Sequence, residues 1–122
     1  MAKTILIVDD EAEVRGFYRD CLREAGYRVR TAADGRQCLE AVEKERPDLV
    51  LLDVLLPVQT GYDILEVLKA NWPEMPVVLV SGKVDRPTRE ALNQLGAEEF
   101  LEKPVDGERL LGTVRRVVGP AD

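Results

Sequence analysis

The chain has 122 residues, 45% of them apolar, with 23 acids against 17 bases for a formal net charge of −6, and it contains no histidine. That length suits one domain with a real core, and the acidic balance has the wrong sign for a surface that neutralises nucleic-acid phosphates. A Ser-His-Asp or Cys-His nucleophile pair and any histidine metal ligand are excluded within the chain, and no apolar stretch approaches the ~20 residues of a membrane span.

Met1-Ala2-Lys3 runs straight into the apolar stretch Thr4–Val8, so a signal peptide is not expected and a cytoplasmic location is the default. That first strand ends on Asp9 and Asp10. Glu11 and Glu13 then enter a helix whose apolar face is Val14, Phe17, Cys21 and Ala25, closed by Gly26. Tyr27–Thr31 alternates like a half-exposed strand near a sheet edge, and Ala33-Asp34-Gly35 makes a turn into a second helix with a core face of Cys38, Leu39, Ala41 and Val42. The spacing of Cys21 and Cys38 suits neither a disulfide nor a zinc site, so both are expected reduced and partly buried. Pro47-Asp48-Leu49-Val50-Leu51-Leu52-Asp53 reads as a strand buried on both faces that ends on a carboxylate. A third helix carries Ile64, Leu65 and Leu68 and stops at Asn71-Trp72-Pro73. The strand Pro76–Val80 ends on Ser81-Gly82, a fourth helix spans Arg86 to Leu95 before Gly96, and the strand Glu99–Glu102 ends on Lys103-Pro104. Leu110, Leu111, Val114, Val117 and Val118 mark a last amphipathic helix.

Five strand and helix alternations predict a doubly wound α/β fold: a five-stranded parallel sheet in the order 2-1-3-4-5, with helices on both faces. Right-handed crossovers make the first and third strands neighbours, which brings Asp9, Asp10 and Asp53 into one cleft outside the carboxyl ends of the strands. Three carboxylates at close range raise one another's pKa values unless a cation intervenes, and an all-oxygen donor set suits a hard ion such as Mg²⁺. Lys103 adds a positive charge and Ser81 a hydroxyl. Together the parts match phosphoryl transfer to a carboxylate.

Val8-Asp9-Asp10-Glu11, Pro47 to Asp53, Leu56-Pro57 with Gly61, Val80-Ser81, Gly96-Ala97 and Lys103-Pro104 resemble, in order and spacing, the receiver domain of bacterial response regulators in two-component signalling, the CheY-like superfamily with its flavodoxin-like (βα)5 fold. The resemblance covers the whole chain and implies one phosphoacceptor domain over residues 1–122. It implies that Asp53 is the phosphoacceptor, that Asp10, Asp53 and the backbone carbonyl of Leu55 hold Mg²⁺ directly, with Mn²⁺ able to stand in, and that Asp9 reaches the ion through water. Ser81 then binds the phosphoryl group and shifts on activation, Lys103 pairs with it, and Phe100 is the aromatic switch. The Lys103-Pro104 bond is expected to be cis. Leu55 and Lys83 occupy positions that tune access of water to the acyl phosphate. The sequence departs from the pattern at Val58-Gln59-Thr60, where a Met-Asp or Met-Ser pair is commoner, and Phe100 lacks a tyrosine hydroxyl.

The implied partners are a sensor histidine kinase or a histidine phosphotransfer protein upstream and an effector domain or protein downstream. No direct nucleic-acid or membrane contact is expected, and the state is a monomer or a weak phosphorylation-dependent dimer. The fourth helix, fifth strand and last helix form the implied partner surface, in a signalling protein that catalyses only its own phosphorylation and dephosphorylation. Taken singly, Asp9-Asp10-Glu11 reads as a helix-start acid cluster, Ser81 as a turn hydroxyl, Lys103 as a solvated charge and Phe100 as a core aromatic; Arg86, Arg89, Arg115 and Arg116 read as solvated helix faces. Two other functions fit the same sheet. An aspartate-nucleophile phosphatase needs a second acid two residues after Asp53, where Leu55 stands, and a flavin-type nucleotide module needs a Gly, Ser or Thr cradle where the loop after Val8 is acidic. A stand-alone adaptor and a module of a longer regulator both remain open.

Overall fold

Residues with no charge to hide and branched side chains on both faces make good central strands, and three such runs form the middle of the sheet. The computed structural model describes residues 2–56, 60–82 and 84–122. In it β1 (Thr4–Val8), β3 (Leu49–Asp53) and β4 (Val77–Ser81) are buried along their whole length, while β2 (Arg28–Ala32) and β5 (Glu99–Glu102) are partly exposed edges. All pairings are parallel and the order is β2-β1-β3-β4-β5, as the alternation predicts.

Successive residues of each central strand feed opposite faces. Leu6, Val8, Val50, Leu52, Val77 and Leu79 pack against α2 (Gly35–Lys44), α3 (Gly61–Asn71) and α4 (Arg86–Gln94). Ile5, Ile7, Leu49, Leu51, Val78 and Val80 pack against α1 (Ala12–Glu24) and α5 (Gly107–Val118). Asp34, Thr60, Asp85 and Asp106 cap α2 to α5, each side chain accepting the N–H three residues on. α1 has no such side-chain cap on its Glu11 N-cap.

The structure corrects the predicted face of α1. Phe17 is 48% exposed, and the helix buries Tyr18 and Leu22 instead, with Val14, Cys21 and Ala25 at the margin. Both sets recur at three and four residues, so periodicity alone does not separate them. Cys38 is fully buried rather than partly so, and burial pushes its thiol up to about 12. The second strand begins at Arg28 rather than Tyr27, whose ring is buried and whose hydroxyl donates to the Gly119 carbonyl at 2.7 Å.

The end of the sheet opposite Asp53 is fastened by polar groups. Asp48 accepts the Thr4 N–H at 2.7 Å and returns its own N–H to the Thr4 carbonyl at 2.8 Å. Glu98 accepts the Val77 N–H at 2.7 Å and Lys69 Nζ at 3.1 Å, and Lys69 also donates to the Met75 carbonyl at 2.8 Å. These bonds tie the starts of β1 and β4 and leave the carboxyl ends of the strands to the loops.

Candidate functional site

Because Val8 lies opposite Leu52, the residues that follow, Asp9 and Asp53, leave neighbouring strands side by side. One carboxylate oxygen from each of Asp9, Asp10 and Asp53 lies within 4.8 Å of the others. Asp9 and Asp53 are buried and Asp10 is exposed, so the cluster opens to solvent on one side. With carboxylates alone and neither imidazole nor thiol, the donors fit a hard dication.

Lys103 enters from the end of β5. Its Nζ donates to Asp9 Oδ2 at 2.9 Å and reaches Asp53 Oδ2 at 3.5 Å. Burial pulls the Lys103 pKa down, but the hydrogen bond to Asp9 and the charges of Asp53 and Asp9 outweigh it, leaving the ammonium above its ordinary value. Asp53 is 4% exposed. Desolvation pushes its pKa up to about 6, against the Leu55 N–H, which donates to Oδ1 at 3.0 Å, and against the Lys103 charge. The lysine neutralises part of the cluster, yet two acids remain without a full counter-charge.

Ser81 ends β4 one residue past Val80, which faces Asp53. Its Oγ is buried and has no hydrogen-bond partner among the described residues. An unsatisfied buried hydroxyl costs about 1–3 kcal/mol, and this one stands at the same end of the sheet as Asp53 with a donor to spare. Gly61 shapes the far wall: a Cβ there would lie 2.5 Å from Val54 Cα and 2.7 Å from the Asp53 carbonyl oxygen, and its N–H donates to the Val54 carbonyl at 2.6 Å. Only glycine lets α3 begin so close to the backbone that carries Asp53.

The model for the response regulator receiver domain matches residues 5–115. The chain belongs to that family. This receiver is 38% identical over 120 residues to the nitrogen assimilation regulatory protein NtrX of Azorhizobium caulinodans, covering 97% of this chain and 26% of that one. It is 34% identical over 118 residues to the response regulator MprA of Mycolicibacterium vanbaalenii, covering 97% and 51%. The receiver thus spans between a quarter and a half of the length of these relatives. Among solved structures, the chemotaxis protein CheY4 of Vibrio cholerae superposes with a TM-score of 0.91 at 32% identity, covering 96% of this chain and 99% of that one. The receiver domain of NtrX from Brucella abortus gives 0.88 at 35%, covering 93% and 97%.

Each predicted site residue of the receiver is placed as follows. Asp9, Asp10, Asp53 and Lys103 converge, and Ser81 borders them. The Lys103-Pro104 peptide is cis, as the resemblance implies. Leu55 is 67% exposed at the mouth of the site. Phe100 lies on β5, half-buried against the core, with the Arg89 guanidinium 4.8 Å above its ring. Arg89 and Arg116 are both exposed, as expected of solvated helix faces, and each also has a neighbour on β5: Phe100 for Arg89 and Glu99, its ion-pair partner, for Arg116. Lys83 and the Val58-Gln59 part of the unusual loop lie outside the described residues; Thr60 caps α3. Among the described residues no helix is long and apolar enough to cross a membrane.

Two residues near the site were not singled out in the sequence. Tyr18, next to the exposed Phe17, is buried on the inner face of α1. Burial raises its hydroxyl pKa, with Lys103 opposing and Asp9, Asp53 and Glu11 adding to the rise, so the phenol shares the field of the cluster. Arg15 donates from Nη1 to the Asp9 carbonyl at 2.7 Å. The available signal was a base one helical turn after Glu11, which reads equally well as a surface charge.

Proposed function

We propose that this receiver accepts a phosphoryl group on Asp53 from a phosphohistidine, borne by a sensor histidine kinase or a phosphotransfer protein, and that residues 1–122 act as one such domain. The observation that carries the reading is the junction of three carboxylates with Lys103, which hydrogen-bonds one and ion-pairs with a second at the carboxyl end of the sheet. Asp10, Asp53 and the Leu55 carbonyl are the proposed direct ligands of Mg²⁺. Asp9 is assigned an outer place because it takes the shorter Lys103 hydrogen bond, 2.9 Å against 3.5 Å to Asp53, and its other oxygen accepts the Glu11 N–H. When bound, the ion supplies charge neutralisation for the carboxylates and for the oxygens of the transferring group.

The chain's own residues do the remainder. Asp53 Oδ2 attacks phosphorus as the bond to the donor imidazole breaks, and the imidazole nitrogen leaves with the electron pair. Leu55 N–H holds the other oxygen of Asp53 and so aims the nucleophile. Lys103 transfers its attention from Asp53 to the new phosphoryl oxygens, and the Ser81 hydroxyl donates to one of them, which satisfies its orphaned Oγ. The inward movement of Ser81 frees space under Phe100, and the surface of α4, β5 and α5 changes its affinity for an effector domain or protein. Water attack on the acyl phosphate resets the switch. Its catalysis is confined to its own phosphorylation and dephosphorylation.

The test is incubation with a small acyl-phosphate donor and MgCl₂. Intact mass should show one added phosphoryl group on the native chain, none without Mg²⁺ and none on Asp53→Asn. Equal labelling of the variant, or multiple-turnover hydrolysis of phosphate monoesters, would overturn the proposal.

A further inference from the structure

Of the three clustered acids, Asp9 is held on every side and Asp10, among the described residues, on none. The Asp9 N–H donates to the Ala32 carbonyl at 3.1 Å, its Oδ1 accepts the Glu11 N–H at 2.9 Å and its Oδ2 accepts Lys103 Nζ at 2.9 Å. Asp10 is exposed, and its carboxylate takes no hydrogen bond or ion pair from a described residue. The direction of Asp10 is therefore inherited from its backbone. That backbone is fixed by Arg15, whose guanidinium folds back from α1 and donates to the Asp9 carbonyl oxygen at 2.7 Å. A peptide unit is planar, so pinning this oxygen pins the plane shared by Asp9 and Asp10, and with it the line along which Asp10 leaves the loop.

We infer that Arg15 is a positioning residue for the divalent-cation site: by holding the Asp9–Asp10 peptide plane it keeps the Asp10 carboxylate aimed at the cation. This rests on the phosphoacceptor reading above. The charge of Arg15 acts in the opposite sense, since a guanidinium near a dication repels it. Arg15 is only half-buried, where charge–charge terms are screened, whereas its hydrogen bond to a fixed carbonyl is direct. The hydrogen bond accordingly dominates, and a neutral variant should bind the cation less tightly.

The experiment is calorimetric titration of the metal-free chain with MgCl₂, alongside thermal unfolding without metal, for the native chain, Arg15→Met and Arg15→Lys. Arg15→Met keeps the apolar stem and loses donor and charge; its Mg²⁺ dissociation constant should rise about tenfold, the loss expected of one hydrogen bond from a charged group. Arg15→Lys, which retains a cationic donor, should recover most of that loss. An unchanged or lower dissociation constant for Arg15→Met overturns the inference, whatever happens to its unfolding temperature. If Arg15→Met loses its cooperative unfolding transition, Arg15→Gln replaces it: neutral and shorter than arginine, it should bind more weakly, and an unchanged or lower dissociation constant overturns the inference. Failure of the native chain to bind Mg²⁺ or to label at Asp53 would instead tell against the phosphoacceptor reading itself.

Discussion

Asp53 meets two opposed demands, because the burial that would shield the proposed phosphoacceptor from water also penalises its charge. With its pKa raised to about 6 in the folded chain, against an ordinary value near 4, the folded state holds the proton more tightly than the unfolded chain does. Metal-free stability should therefore fall as pH rises from about 4 to about 6 and level off above. Asp53→Asn removes the penalty: at neutral pH and without metal its unfolding temperature should exceed that of the native chain by a few degrees, and the decline between pH 4 and 6 should shrink, as measured by calorimetric scans. A variant less stable than the native chain would show that the Lys103 pairing outweighs desolvation. Gly61 carries a second prediction at this scale. Since a Cβ there would collide with Val54 and the Asp53 carbonyl, Gly61→Ala should lower stability by more than about 2 kcal/mol in urea titrations and slow labelling of Asp53, because α3 must move away from the strand end.

The helices show where sequence reasoning reached and where it stopped. The centres of β1, β3 and β4 were legible because a strand covered on both faces has a continuous apolar run, which little else resembles. The acid cluster was legible for a related reason: Asp9 and Asp10 come straight after one such run and Asp53 ends another, and strand order puts those ends together. The face of α1 was not. Val14, Phe17, Cys21 and Ala25 compete with Tyr18 and Leu22 at the same period, and packing against Ile5, Ile7 and α5 decides between them. Leu22→Ala should therefore cost about 2–5 kcal/mol in urea unfolding, while Phe17→Ser should stay within about 0.5 kcal/mol. An equal loss for both would restore the face that periodicity suggested. Arg15 and the Arg89–Phe100 stack were equally hidden, since a long cation announces its charge but not the carbonyl or ring it reaches.

For the molecule as a whole, the sheet has two unlike ends. One is tied by Asp48, Glu98 and Lys69 to backbone groups at the strand starts; the other leaves the Ser81 Oγ and the Asp10 carboxylate without a hydrogen bond from a described residue. Unsatisfied groups gathered at one end are where a ligand gains most by binding, so a dication should stabilise the entire fold through this end. At Mg²⁺ a hundredfold above its dissociation constant the gain should be about 2.7 kcal/mol. That gain should diminish as pH falls through about 6, because Asp53 must lose its proton to bind the ion. An increase in unfolding temperature that is the same at pH 5 and pH 7.5 would remove Asp53 from the site. The chemistry is tested most directly by finding where the phosphoryl group goes. After incubation with an acyl-phosphate donor and Mg²⁺, borohydride reduction converts an aspartyl phosphate to homoserine, and peptide mass spectrometry locates it. Homoserine at position 53 alone, and only with Mg²⁺, is the predicted result; homoserine at Asp9 or Asp10, or a phosphate that survives reduction on Ser81, would contradict it.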